Sequence, residues 1–273
     1  MTDSAGITSE PGVGARAENG REPAVRIVDL VKEFPGGVRA LGGLTFDVPK
    51  GELTSIIGPS GCGKTTTLKI IAGLLAATSG RVEVDGVPVT GPGPDRAFVF
   101  QDFALMPWAS VLRNVAFGLE LRGVSRKERE ETARAYVDKV GLSGFEHSYP
   151  HQLSGGMRQR VGLARALAVD ADILLMDEPF ASVDEQIRRQ FQDDLLRLLS
   201  DERKTVIFVT HSIEEAVYVS DQVVILTRGP SSVSKVVRPG VDHSGDPDEI
   251  RRHPAYLDWV EQIWHELRSY LER

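Results

Sequence analysis

One short stretch of the chain, Gly58-Pro59-Ser60-Gly61-Cys62-Gly63-Lys64-Thr65-Thr66, has the residue types and spacing to hold a polyphosphate. A β,γ-phosphate pair needs several N–H donors wrapped closely around it, and glycines allow the backbone to come that near. Lys64 then reaches the β- and γ-phosphates, and the Thr65 hydroxyl ligates Mg²⁺. The pattern G-x-x-x-x-G-K-[ST] gains its meaning from context. An apolar run, residues 53–57, leads in as a strand, and residues 65–75 lead out with helical patterning. The helix N-terminus adds the positive end of its dipole to the loop. Cys62 lies inside the loop near that helix end, where a thiol pKa tends to fall. It is read as a small side chain that fits, with the added expectation that a bulky thiol reagent placed there blocks nucleotide.

A second group of residues could act on what the loop holds. In Ile173-Leu174-Leu175-Met176-Asp177-Glu178-Pro179, four apolar residues precede two acids, so a buried strand delivers carboxylates at its C-terminal end. Asp177 would hold Mg²⁺, and Glu178 would polarise the water that attacks the γ-phosphate. Gln101 closes a strand over residues 97–100, and His211 closes one over residues 205–209. Singly, a Gln or His after a strand is ordinarily a surface residue. Their shared position at the phosphate edge places both with Glu178 in hydrolysis, and Gln101 with Thr65 and Asp177 among the metal ligands. After His211, Ser212 and Glu215 form an S-x-x-E capping box that opens a helix.

A third motif, Leu153-Ser154-Gly155-Gly156-Met157-Arg158-Gln159-Arg160, opens another helix. A Ser-Gly-Gly turn at a helix N-terminus is a second anion site, far from the first in sequence. A dimer, in which each site is completed by the other chain, explains why one chain carries two.

The elements that must position these residues follow from patterning. β-branched runs at residues 25–31, 44–48, 53–57 and 81–84 are separated by turns such as Pro35-Gly36-Gly37 and Asp85-Gly86. The later runs, at residues 173–176, 206–209 and 223–226, are wholly apolar, as parallel strands covered on both faces are. Helical stripes lie between them, at Leu68, Ile71, Ala72 and Leu75, and at Ile187, Phe191, Leu195, Leu198 and Leu199. Alternation of strand and helix indicates a doubly wound α/β core. From about residue 102 to 170 strand runs vanish, and Ala133, Tyr136, Val137 and Val140 form a helical stripe ending at Gly141. This stretch reads as a helical insert. Residues 1 to about 23 hold almost no large apolar side chains and read as a disordered tail. From residue 247 on, Leu257, Val260, Trp264, Leu267 and Leu271 form an amphipathic stripe, read as a C-terminal helix packed on the core.

Composition narrows the function classes. With 39 acidic against 32 basic residues and a formal charge of -7, the 273-residue chain has no overall attraction to nucleic-acid backbones. Its single cysteine, Cys62, permits no intrachain disulfide, which fits a reducing compartment. No run approaches the ~18 apolar residues that span a bilayer, and the first residues lack the apolar segment of a secretory signal.

Together these motifs make the chain resemble, from about Val25 onward, the nucleotide-binding subunit of an ABC transporter. The phosphate loop, LSGGMRQR and ILLMDEP occur in that order, with Gln101 and His211 correctly interleaved. The resemblance implies a P-loop NTPase core of RecA-like type, an N-terminal antiparallel β subdomain, and an inserted α-helical subdomain over about residues 102–170. The ATPase domain would run over residues 24–246. It further implies that two copies sandwich two ATP molecules head to tail, with Ser154, Gly155 and Gly156 of one meeting the γ-phosphate held by the other. Asp184, in Ala181-Ser182-Val183-Asp184, would link the two sites, although the family often has Ser-Ala-Leu-Asp there. Phe34 falls where the family stacks an aromatic, more often Tyr, on adenine.

The segment Gln101-Asp102-Phe103-Ala104-Leu105-Met106-Pro107-Trp108, followed by Asn114-Val115, is similar to the nitrate, sulfonate and taurine branch of importers. There, these residues help form the groove for a permease's coupling helix; the alternative is that Phe103, Leu105 and Trp108 are core of the helical insert. The implied partners are a second copy, integral-membrane permease subunits and, indirectly, an external solute-binding protein. The implied place is the cytoplasmic face of the membrane and the implied cargo a small anionic or sulfonate-like solute. The rival class, a soluble ABC ATPase acting on nucleic acid or ribosomes, usually carries two cassettes or a long coiled-coil insert, and neither is present.

Overall fold

Two sheets, oppositely built, frame the molecule. The computed structural model describes residues 23–181, 185–202 and 204–271. The expected tail up to residue 22, and Asp184, lie outside the described residues. β1 (Pro23–Phe34), β2 (Val38–Pro49), β4 (Ser79–Val84) and β5 (Val87–Pro88) make a four-stranded sheet in the order β2-β1-β4-β5, paired antiparallel throughout. The second sheet has the order β10-β9-β3-β8-β7-β6. Its members are β3 (Leu53–Ile57), β6 (Arg96–Val99), β7 (Ile173–Asp177), β8 (Thr205–Val209) and β9 (Gln222–Leu226), all parallel, with β10 (Val233–Val237) antiparallel at the edge.

All five residues of β3, β7, β8 and β9 are buried, which is why their sequences are apolar without alternation. The pleat divides them between two cores. Leu174 and Met176 of β7, with Val206 and Phe208 of β8, join the core under the helices. Ile173, Leu175, Ile207 and Val209 face the other way, onto α1 (Lys64–Ile71) and the antiparallel sheet. Strand β10 was not anticipated: its pattern is half-exposed and polar at Ser234 and Lys235, as an edge allows.

Between β6 and β7 stand three helices, α2 (Val111–Leu121), α3 (Arg126–Lys139) and α4 (Gly155–Ala168), each capped by a serine: Ser110, Ser125 and Ser154. The loop leading from Gln101 into α2 is fastened at two points. Asn114, fully buried, accepts from the Met106 N–H at 2.8 Å and donates to the carbonyls of Met106, Ala109 and Ser110 at 3.0–3.2 Å. Arg165 donates at 2.7 Å to the carbonyls of both Phe103 and Ala104, two non-glycine residues with positive φ (63° and 43°). Such backbone costs of order 1–3 kcal/mol per residue and persists only where contacts over-determine it.

After β8 come α6 (Ile213–Val219), then α7 (Pro247–Arg252) and α8 (Pro254–Leu271); α5 (Glu185–Glu202) precedes β8. The C-terminal segment is thus two helices broken before Pro254. The face of α8 turned to the core is Tyr256, Val260, Ile263 and Leu267, whereas Leu257 and Trp264 are 50% and 46% exposed. The expected stripe is therefore rotated by about one residue. The phenol of Tyr256 explains the shift: its ring packs inside while its hydroxyl donates to the Glu214 carbonyl at 3.2 Å, a residue that apolar patterning passes over.

Candidate active site

Open parallel sheets gather ligands at the C-terminal ends of their strands, and the adjacent strands β3, β8, β7 and β6 deliver, side by side, the phosphate loop, His211, Asp177 with Glu178, and Gln101. The loop's shape depends on two glycines in particular. Gly63 has φ 95° and sits where a Cβ would come within 2.6 Å of Leu41 Cδ2. At Gly58 a Cβ would meet Cys62 Sγ at 2.8 Å and the Leu226 carbonyl at 3.0 Å. The loop is wedged between β2 and β9, so any side chain at either position would push it off the sheet.

Lys64, only 7% exposed, turns its amine back into the loop, donating to the Gly58 carbonyl at 2.8 Å and the Pro59 carbonyl at 3.2 Å. A buried ammonium is costly without partners, and these carbonyls hold it within the loop. Pro59 is buried, Ser60 and Gly61 lie exposed on the loop's crest, and Thr65 and Thr66 are half-buried at the start of α1. The Thr65 hydroxyl donates to Asp177 Oδ1 at 2.8 Å, joining two oxygen donors across β3 and β7. Burial raises the Asp177 pKa above its ordinary value, and the neighbouring Glu178 charge adds to the rise against the Thr65 hydrogen bond. A carboxylate so situated gains from a cation beside it. Hard oxygen donors of this kind suit Mg²⁺.

Glu178 follows with φ 46°, and its N–H donates to the Val209 carbonyl at 2.9 Å. The turn is pinned by Phe180, 1% exposed, whose ring lies 5.4 Å from Phe191 and 5.5 Å from Phe208. Burying such a ring is worth roughly 1.5–3 kcal/mol, comparable with the strain it offsets. One carboxylate oxygen of Glu178, Oε2, then meets Gln101 Nε2 at 3.3 Å and His211 Nδ1 at 3.4 Å. The three polar residues after separate strands thus converge on one atom.

Cys62 departs from its expected environment. It is 1% exposed, and burial pushes its thiol pKa up despite the nearby Lys64. The thiol packs under the loop and away from its open side. Labelling of the native protein by an aromatic disulfide reagent at pH 7.5 should therefore run at least about tenfold slower than for a free thiol; reaction at the free-thiol rate would contradict this burial.

The residues at the LSGG turn lie apart. Ser154 accepts from the Met157 N–H at 3.3 Å as the cap of α4, and Gly155 and Gly156 form the helix's first turn. Among the described residues, no hydrogen bond or ion pair joins these three to the phosphate loop, Glu178 or His211. Phe34, half-buried at the tip of β1, has the Lys32 amine 5.3 Å from its ring centroid. In the loop after Gln101, Phe103 is core, Leu105 packs at its margin, and Trp108 is 74% exposed. The S-x-x-E pair is also only half a capping box. Ser212 accepts from the Glu215 N–H at 3.2 Å, but the Glu215 carboxylate goes to Thr210 instead of back to the cap.

Comparison with known proteins agrees with this geometry. A family model described as ABC transporter matches residues 41–181. An ABC transporter ATP-binding protein of uncharacterised role, MJ0412 of Methanocaldococcus jannaschii, is 48% identical over 248 residues, covering 90% of this chain and 91% of that protein. The taurine import ATP-binding protein TauB of Chromobacterium violaceum is 46% identical over 235 residues, covering 84% and 90%. Among solved structures, the dimeric post-hydrolysis state of the ATP-binding cassette MJ0796 bound to ADP and Pi superposes with a TM-score of 0.71 at 32% identity, covering 78% of this chain and 98% of that one.

Proposed function

Because the chain belongs to the ABC transporter family and is an ATPase of that family, we propose that two copies, closing head to tail on ATP, drive uptake of a small anionic or sulfonate-like solute through a separate membrane permease. The observation that carries this reading is the division of the site. Lys64, Asp177, Glu178, Gln101 and His211 gather at one sheet edge, while among the described residues the helix end at Ser154 shares no hydrogen bond or ion pair with them. A second copy supplies the missing half, in keeping with the dimeric state of the MJ0796 cassette.

In this reading the loop from Gly58 to Thr66 wraps the phosphates with backbone N–H groups, and Lys64 exchanges its carbonyl partners for phosphate oxygens. Thr65 and Asp177 would hold Mg²⁺, and Gln101, whose nitrogen donates to Glu178, would have its amide oxygen left for the metal. The metal, when bound, neutralises charge on the transferring phosphoryl group. Glu178 accepts a proton from the attacking water, and His211 holds the carboxylate and the γ-phosphate side in register. Phe34 stacks on the adenine ring, and Asp184 communicates between the two sites. Ser154, Gly155 and Gly156 of the partner copy close on the γ-phosphate.

Motion reaches the membrane through the loop after Gln101. Asn114 and Arg165 make residues 101–110 a stiff lever, and Trp108, 74% exposed, is the apolar contact offered to a permease. No helix among the described residues is long and apolar enough to cross a membrane, so attachment to the cytoplasmic face depends on that permease. An external solute-binding protein then sets the cargo, with taurine-like sulfonates supported by the name of the TauB relative.

The reading is tested by purifying the tagged chain from its host membrane with its partners and assaying ATP-driven uptake in vesicles. A copurifying integral-membrane protein, and uptake of taurine or nitrate that ceases without ATP, are the expected results. RNA, DNA or ribosomes in place of a membrane protein would overturn it.

A further inference from the structure

We propose that Thr210 is a positioning residue for hydrolysis: with Glu215 it brackets His211 and sets the imidazole against Glu178. This rests on the reading of His211 given above.

His211 needs such support. Its side chain is 60% exposed, and its Nδ1 lies 3.4 Å from Glu178 Oε2. A ring held so loosely takes its direction from its own backbone. Thr210, just before it, is 1% exposed, and its hydroxyl does two things at once. It donates to Glu215 Oε2 at 2.5 Å and accepts from the Ser212 N–H at 3.0 Å. The hydroxyl therefore ties the residues on both sides of His211 to one point. Glu215 completes the bracket: its own N–H donates to Ser212 Oγ at 3.2 Å.

The carboxylate of Glu215 is 7% exposed, and a charge so buried is tolerated only with partners. Its second oxygen lies 3.8 Å from Arg188 Nε on α5, the helix that follows the Glu178 turn. It also sits in the first turn of α6, at the positive helix end. A hydroxyl that donates to a carboxylate makes a charge-assisted bond, the stronger kind. The bracket thus ties the His211 loop to α5, the helix that comes after the Glu178 turn. It also leans on the phosphate-loop strand, since the Thr210 N–H approaches the Ile56 carbonyl at 3.4 Å. The acid of S-x-x-E is diverted from capping the helix to holding the residue before the histidine.

The test compares Thr210→Val, Thr210→Ser, His211→Ala and the double variant in the full chain, by kcat and KM for ATP with thermal melts alongside. Thr210→Val keeps shape and strand propensity while losing the hydroxyl. It should lower kcat about tenfold with KM changed less than about twofold, and Thr210→Ser should restore the rate. In the His211→Ala background the valine should cost less than about twofold more, because the hydroxyl acts through the histidine. Should Thr210→Val fail to fold, Glu215→Gln replaces it, with an expected loss of about threefold that likewise vanishes without His211. An equal loss in both backgrounds, or an unchanged kcat for Thr210→Val where His211→Ala is impaired, would overturn the inference. A fully active His211→Ala would instead remove the underlying role of His211, and the bracket's function with it.

Discussion

Glu178→Gln should lower kcat for ATP hydrolysis by about 10²–10⁴-fold, the usual worth of a positioned general base, while ATP affinity stays within about threefold. The amide keeps the size and the hydrogen-bonding reach of the side chain, so Gln101 and His211 retain a neighbour at 3.3–3.4 Å. It loses only the ability to take a proton from water. Removing a charge beside Asp177, whose pKa burial and the Glu178 charge both raise, also eases anion binding at the strand end. Affinity should therefore hold or improve. With hydrolysis slowed and binding intact, ATP-bound protein should accumulate as dimer. Phosphate release under saturating ATP and equilibrium titration with a fluorescent ATP analogue measure the two quantities. Hydrolysis near the wild-type rate would take Glu178 out of the proton-transfer role.

The second large effect is expected at a residue that touches nothing in the phosphate site of its own chain. Ser154→Arg should reduce hydrolysis by about 10³-fold or more, in line with groups supplied in trans to phosphoryl transfer. Binding of ATP to the isolated subunit should change little, because Lys64 and its loop are untouched. The substitution fills the anion site at the α4 N-terminus and removes the cap to the Met157 N–H. Loss of a serine cap costs about 1 kcal/mol, far below what a 10³-fold loss of rate requires, and a thermal melt separates the two. Weakened ATP binding by the monomer, or undiminished hydrolysis, would argue against a shared site.

The site's components were legible because they are local. A strand, a Gly-rich turn and a helix in series specify Gly58 to Thr66 without knowledge of the rest of the fold, and a wholly apolar strand ending in Asp177-Glu178 announces burial on both faces. Gln101 and His211 could be placed only jointly, through the rule that parallel strands end at one edge. What stayed hidden depends on contacts between distant segments. The Thr65 to Asp177 hydrogen bond spans 112 residues. Asn114 stood out only as part of the importer-like segment, and Arg165 not at all, until their side chains met the loop after Gln101. For Cys62, proximity to a helix end speaks for a lowered pKa, whereas burial, visible only in three dimensions, outweighs it. Glu215 satisfied a local capping rule, and a hydrogen bond from Thr210, five residues before it, displaced half of it; two local rules competed and only the structure shows which won. The rotation of α8 has a similar cause, since the place of Tyr256 in the core is set by its packing and its hydrogen bond to the Glu214 carbonyl. Edge strand β10 escaped notice because Ser234 and Lys235 interrupt its three valines.

In the proposed dimer each ATP lies between the Lys64 loop of one copy and the Ser154 helix of the other. Mixing equal amounts of Lys64→Ala and Ser154→Arg subunits tests it most directly, because only a head-to-tail pair recovers an intact site from two broken chains. Each variant alone should be inactive, and the mixture should regain about a quarter of the wild-type rate, as about half of random pairs are mixed and each keeps one good site. A mixture no more active than its two components would contradict the shared site.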